Sequence, residues 1–226
     1  MNGNLIVKNA SELITCSGFT AKKGEAMSDL KIISDGAVVV KEGVIEAVGT
    51  TRDILSELEK TESDLSGFDI IDAKNRAVLP GFVDSHTHFV FGGFRAEEFS
   101  WRLRGDSYME IMNRGGGIVN TVQATRKAAV EELVQSGIKR LDSMLSFGVT
   151  TVEGKSGYGL DCDTEIKQLE VMAHLNNIHY VDIAPTFLGA HAVPEAYKGK
   201  EDAFIEFMIC LLYTSDAADD DRIVWV

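Results

Sequence analysis

The chain has 226 residues, 45% of them hydrophobic, enough to bury a sizeable core in one or two globular domains rather than to remain a disordered tail. A formal net charge of −13 speaks against nucleic acid and against an anionic membrane surface as partners, and suits a soluble cytoplasmic protein. Cys16, Cys162 and Cys210 are widely spaced and include no Cys-x-x-Cys pair, so neither a disulfide framework nor a cysteine zinc site is supported. No basic segment leads into an apolar core at the N-terminus, and no apolar run approaches the ~20 residues of a membrane helix, so neither secretion nor membrane spanning is expected.

In chain order, residues 4–9 and 36–48 are short β-rich runs, the second broken at Glu42-Gly43 like a hairpin turn. Residues 51–60 carry the spacing of a short amphipathic helix, and 69–73 read as another strand. Together they predict a small β domain. Residues 79–88 follow as an apolar strand that turns polar at its end, and then a long connection runs from Phe89 to about Asn120. Residues 121–146 place apolar side chains at helical spacing and predict one continuous helix closed by Gly148. Strand 147–154, helix 164–178, strand 179–191 and a helix starting at 201–212 complete the pattern, and strand–helix alternation of this kind signals parallel βα repeats.

Chemistry concentrates at the end of the strand in Pro80-Gly81-Phe82-Val83-Asp84-Ser85-His86-Thr87-His88. Alternate residues of a strand share a face, so His86 and His88 point the same way and can grip one metal ion, whereas on an exposed strand they would be mere polar surface. Arg95, Tyr158 between Gly157 and Gly159, and His191 at the end of the third strand stand where loops at strand ends usually gather an active site. Gly148 to Lys155 does not fit a phosphate-binding loop, because its glycines are spaced by five residues rather than four. His174 and His179 read as structural.

The stretch LPGFVDSHTHFVFGGFR (79–95) resembles the first barrel strand and following loop of the amidohydrolase superfamily, and EGKSGYGLD (153–161) with TFLGAHAVP (186–194) resembles the imidazolonepropionase family within it. The resemblance spans residues 1 to about 207. It implies an α/β fold, a partial (β/α)8 TIM barrel of the amidohydrolase type at 79–209, preceded at 1–78 by half of a small β-sandwich. It implies His86 and His88 as ligands of one Zn or Fe ion, Arg95 as the contact to a propionate carboxylate, Tyr158 as a ring contact, and His191 near the scissile carbonyl. Lys155 follows the wrong strand to be a metal-bridging lysine. The implied activity is metal-dependent hydrolysis of a small-molecule substrate, 4-imidazolone-5-propanoate, by a protein that is a homodimer at full length. Hydrolysis or deamination of another ring within the superfamily, and a non-catalytic binding module, are the rival readings.

A complete barrel of this type takes roughly 250 residues, and the chain after Leu79 offers three clear strands, so about half of the barrel is expected to be missing, together with the remaining metal ligands and the general base. No catalytic residue is therefore assigned. The segment 210–226, with four aspartates between 216 and 221, fits no barrel element and reads as foreign to the family; removing its four aspartates and Arg222 takes the charge from −13 to −10.

Overall fold

The computed structural model describes residues 3–214 and 224–225, apart from 19 and 63. The chain divides into two compact units, Met1–Pro80 and Gly81–Val226.

The first unit is built on a four-stranded sheet formed by β1 (Leu5–Ile14), β2 (Ile32–Lys41), β3 (Val44–Thr50) and, after helix α1 (Thr51–Thr61), β4 (Asp69–Asp72), in the order β3-β2-β1-β4. β1 runs antiparallel to β2 and parallel to β4. It is longer than its apolar run suggests because a register shift between Val7 and Ala10, with Asn9 at φ 58°, carries pairing on to Ile14. The β2–β3 turn places Glu42 and Gly43 at φ 50° and 80°, the left-handed pair that a two-residue hairpin favours. Thr50 caps α1, its hydroxyl accepting from the Asp53 amide, and Ile54 and Leu58 of α1 bury against Ile6, Ala37 and Val39.

The second unit holds parallel strands β5 (Phe82–Thr87), β6 (Val149–Lys155) and β7 (Asp182–Phe187), with the two-residue β8 (Val224–Trp225) beside β7. Between β5 and β6 lie α2 (Ala96–Leu103), α3 (Tyr108–Asn113), α4 (Ile118–Lys127) and α5 (Val130–Ser146); α6 (Cys162–Ile178) joins β6 to β7, and α7 (Glu201–Thr214) follows β7. Leu133 and Leu141 of α5 and Val171, Met172 and Leu175 of α6 pack with Phe89, Val90, Val152, Val181 and Ile183 into the main core. A second core joins Val122, Leu160, Leu169, Phe187, Phe204, Met208 and Leu211. Among the described residues no helix is long and apolar enough to cross a membrane.

Two expectations change. The helix read over 121–146 is two helices, α4 and α5, parted at Ala128 and Ala129, both in extended backbone. Lys167 of α6 donates to the carbonyls of Thr125, Arg126 and Ala128, satisfying the end of α4, while the Glu132 carboxylate accepts from the Ala129 amide at the start of α5. The third strand stops at Phe187, four residues short of His191, because the chain turns there and the His191 amide donates to the Leu188 carbonyl. Of the segment read as foreign, residues 215–223 and 226 lie outside the described residues.

Candidate active site

β5 sets the direction of the paired histidines. Thr87 pairs with Gly154, and a Cβ at Gly154 would sit 2.7 Å from Phe89 and 2.9 Å from Met172, so this side of the sheet is closed by the helices. The β5–β6 register shifts between Asp84 and Thr87, so the direction is set at Thr87, and His86 and His88 on either side of it turn to the other side. Their rings meet edge to face with centroids 5.9 Å apart. Asp84 accepts from the His86 amide at 3.3 Å, fixing the backbone just before the pair.

Two more side chains arrive from other strand ends. The His88 ring lies 4.8 Å from that of Tyr158 and 4.7 Å from that of His191, and Tyr158 and His191 meet at 5.7 Å. Tyr158 is delivered by the turn after β6. Gly157, at φ 104°, makes the close approach possible, since a Cβ there would fall 2.8 Å from both the His191 Cβ and the Leu188 carbonyl. The turn is held from behind by α6. The buried Glu165 carboxylate accepts from the amides of Gly157, Gly159 and Leu160 at 2.7–2.8 Å. Gln168, also fully buried, accepts from the Tyr158 amide and donates to the Val90 carbonyl, so one side chain ties the turn after β6 to the segment after β5. Ser156 anchors the third element: its amide donates to Thr186 and its hydroxyl accepts from the Leu188 amide.

Both ring nitrogens of His88 are buried and have no hydrogen-bond partner among the described residues. Burial, then the nearby charges of His191, His86 and Lys155, outweigh an opposing pull from the Ser156 backbone and push its pKa down to about 4, so the imidazole is neutral at ordinary pH and has a lone pair to offer. Below the histidines, β6 turns Glu153 and Lys155 to the same side of the sheet. Lys155 Nζ donates to Glu153 Oε1 at 2.5 Å, Thr186 Oγ1 donates to the same oxygen at 2.8 Å, and the Lys155 hydrogen bond holds the carboxyl below its ordinary range.

Arg95 is not drawn into this cluster. It caps α2 and lies 3.9 Å from Glu98, whose buried carboxylate accepts from the Gly117 amide. A cleft of about 910 Å³ opens elsewhere, between residues 91–94 and helices α4 and α5, where Arg140 stacks on Phe91 at 3.6 Å and donates to the Phe89 and Phe91 carbonyls. The sequence pointed to His86, His88, Arg95, Tyr158 and His191, of which Arg95 stands apart; it missed Glu165 and Gln168, which sit among helix residues with no motif of their own, and the pairing of Glu153 with Lys155, which lie inside the EGKSGYGLD stretch but were given no role there.

The profile of the Amidohydrolase family matches residues 69–130. The chain is 59% identical over 207 residues to an imidazolonepropionase of Clostridium tetani and 55% identical over 208 residues to one of Parabacteroides distasonis, in each case over 92% of this chain. The chain is a relative of the imidazolonepropionases. It spans about half the length of the curated relatives it matches, 48% and 49% of these two. Among solved structures, guanine deaminase of E. coli superposes with a TM-score of 0.52 at 15% identity, over 98% of this chain and 44% of that one, a likeness of fold alone.

Imidazolonepropionases belong to a family that generally depends on metal, and the residues present fit that requirement in part. Two imidazoles face one way, one of them neutral with both nitrogens unpartnered in a buried setting, and that is a donor set for a borderline metal. Among the described residues no group of three or more His, Cys, Asp or Glu is placed to hold an ion.

Proposed function

We propose that this chain carries half of the metal site and much of the substrate pocket of an imidazolonepropionase, which hydrolyses 4-imidazolone-5-propanoate to N-formimidoyl-L-glutamate by opening a cyclic amide at its C–N bond. The observation that carries the reading is the convergence of His88, Tyr158 and His191, from three separate strand ends and 103 positions of sequence (191 − 88), into one cluster with ring centroids 4.7–5.7 Å apart. The parallel β5-β6-β7 sheet with its helices is the first part of a (β/α)8 barrel over 79–209, and the sheet of 1–78 is half of a small β-sandwich; 210–226 is foreign to the family. The full-length protein is a cytoplasmic homodimer acting on a small molecule, with no nucleic acid or membrane partner.

In this reading His86 and His88 hold the metal, Zn or Fe. When bound it supplies a water made acidic enough to yield hydroxide near neutral pH. The chain's own residues do the rest of the work assigned here. Tyr158, on a turn fixed by Glu165 and Gln168, packs against the ring of the substrate. His191 donates a hydrogen bond to the oxygen of the carbonyl under attack, where negative charge develops. Arg95 offers its planar fork to the propionate, which requires it to leave Glu98. The general base lies outside this chain.

The test is a titration of the purified chain with imidazolone propanoate, followed by the imidazole resonances of His88 and His191. Saturable shifts of both, weakened about tenfold or more by Arg95→Met, support the reading. Unmoved resonances at millimolar ligand, or equal binding of a ring without the carboxylate, would sink it.

A further inference from the structure

The Glu153 carboxylate is engaged on one side only. Oε1 accepts from both Lys155 Nζ and Thr186 Oγ1, whereas Oε2 accepts no hydrogen bond among the described residues. This is an expensive arrangement for structure alone, since Lys155 is 7% exposed and an ammonium so deep in a protein gains little from a partner it could have met in water. It does fix the carboxylate. Two strands set its position: Lys155 pairs with Thr186 across the β6–β7 ladder, so the residues that grip Oε1 are held by backbone register.

The same carboxylate stands beside the paired histidines. Thr87 Oγ1 donates to the Glu153 backbone carbonyl at 2.7 Å, joining β5 to β6 next to His86. His86 and Glu153 directly precede the paired residues Thr87 and Gly154 on adjacent parallel strands and lie on the side of the sheet turned away from the helices. His86 has no hydrogen bond from its ring to any described residue, and its one ring contact is with His88. An imidazole that binds metal through one nitrogen carries a proton on the other, and that N–H is ordinarily oriented by a carboxylate or carbonyl.

We propose that Glu153 is a positioning residue for His86: its free Oε2 accepts the ring N–H of that imidazole when the other nitrogen faces a metal ion, while Lys155 and Thr186 hold the far oxygen in place. The inference rests on His86 and His88 being metal ligands. It assigns the buried Lys155 a purpose as well, which is to keep Glu153 pointing one way.

Zinc affinity of the purified chain, measured by competition with a chromophoric chelator, tests it, with the d–d spectrum of the cobalt-substituted protein as a second reading. In Glu153→Gln the amide oxygen stays with Lys155 and Thr186 and an NH2 group faces the imidazole N–H, so zinc affinity falls about tenfold or more and the cobalt bands shift. The double variant Glu153→Met/Lys155→Met strands no charge; its zinc affinity falls as far, although the ammonium that would repel the ion is gone. Thermal unfolding monitors the fold of each. Affinity within twofold of the parent in Glu153→Gln, or parent-like affinity in the double variant, overturns the proposal and leaves His86 as a ligand. If His86→Ala binds zinc as tightly as the parent, or the parent binds none, the ligand reading itself fails and takes this one with it.

Discussion

Glu165 does more for the candidate site than any residue that the motifs single out. Its carboxylate is fully buried, and three backbone amides of the turn that carries Tyr158 end on it. Leu160 in that turn adopts φ 55°, a left-handed conformation that a branched side chain does not choose unaided. Replacing Glu165 with Ala orphans three amides in a closed space and is expected to cost about 3 kcal/mol or more. Denaturant unfolding checks the stability, and hydrogen exchange at residues 157–160 should rise sharply before global unfolding begins. Protection at those amides that is unchanged would mean that the turn is held by something else. His86, His88, Tyr158 and His191 were legible from sequence because each stands in a motif at a strand end. Glu165 was not, because a glutamate in the first turn of a helix, four residues after the Asp161 N-cap, reads as ordinary helix-start chemistry. Only the inward facing of that turn makes it a buried anchor.

The elements were legible where the pattern is local. The Glu42-Gly43 turn, the α1 helix and the parallel order of β5, β6 and β7 all follow from periodicity and turn chemistry, and all are present. The break between α4 and α5 was not legible, because Thr125-Arg126-Lys127-Ala128-Ala129-Val130 contains neither glycine nor proline, and its apolar spacing continues across the gap. What ends α4 comes from about 40 residues away, where the Lys167 ammonium takes the carbonyls of Thr125, Arg126 and Ala128 at 2.9–3.2 Å. A cation at a helix C-terminus also opposes the negative end of its dipole. Lys167→Met keeps the stem of the side chain and removes the cap, so it should destabilise the fold by about 1–2 kcal/mol. A calorimetric midpoint equal to that of the parent would show that the break is set by packing rather than by the lysine.

For the whole molecule the question is what a metal site could do with His86 and His88, the two ligands proposed for it. A catalytic zinc ordinarily keeps three protein ligands and leaves one position for water, and among the described residues no third ligand joins His86 and His88. With two imidazoles an ion is held weakly, more of its coordination is water, and the electron-withdrawing power on any one water is divided. The carboxylate on that side of the sheet, Glu153, has one oxygen held by Lys155 and Thr186, and the other is the one proposed to face His86, which leaves it no place beside a water as general base. The edge of the parallel sheet adds a second cost. Among the described residues β7 is paired beyond β6 by only the two residues of β8, and a strand left open in this way invites pairing with another chain. The 226-residue chain, purified and loaded with zinc or iron, is therefore expected to turn over no imidazolone propanoate above the rate of the metal alone, and to self-associate as its concentration is raised. Loss of substrate absorbance with formation of N-formimidoyl-glutamate, abolished by His86→Ala, would refute this. It would mean that two imidazoles and the Tyr158–His191 pocket suffice for ring opening, and that the half of the relatives' length which this chain lacks serves affinity or assembly rather than chemistry.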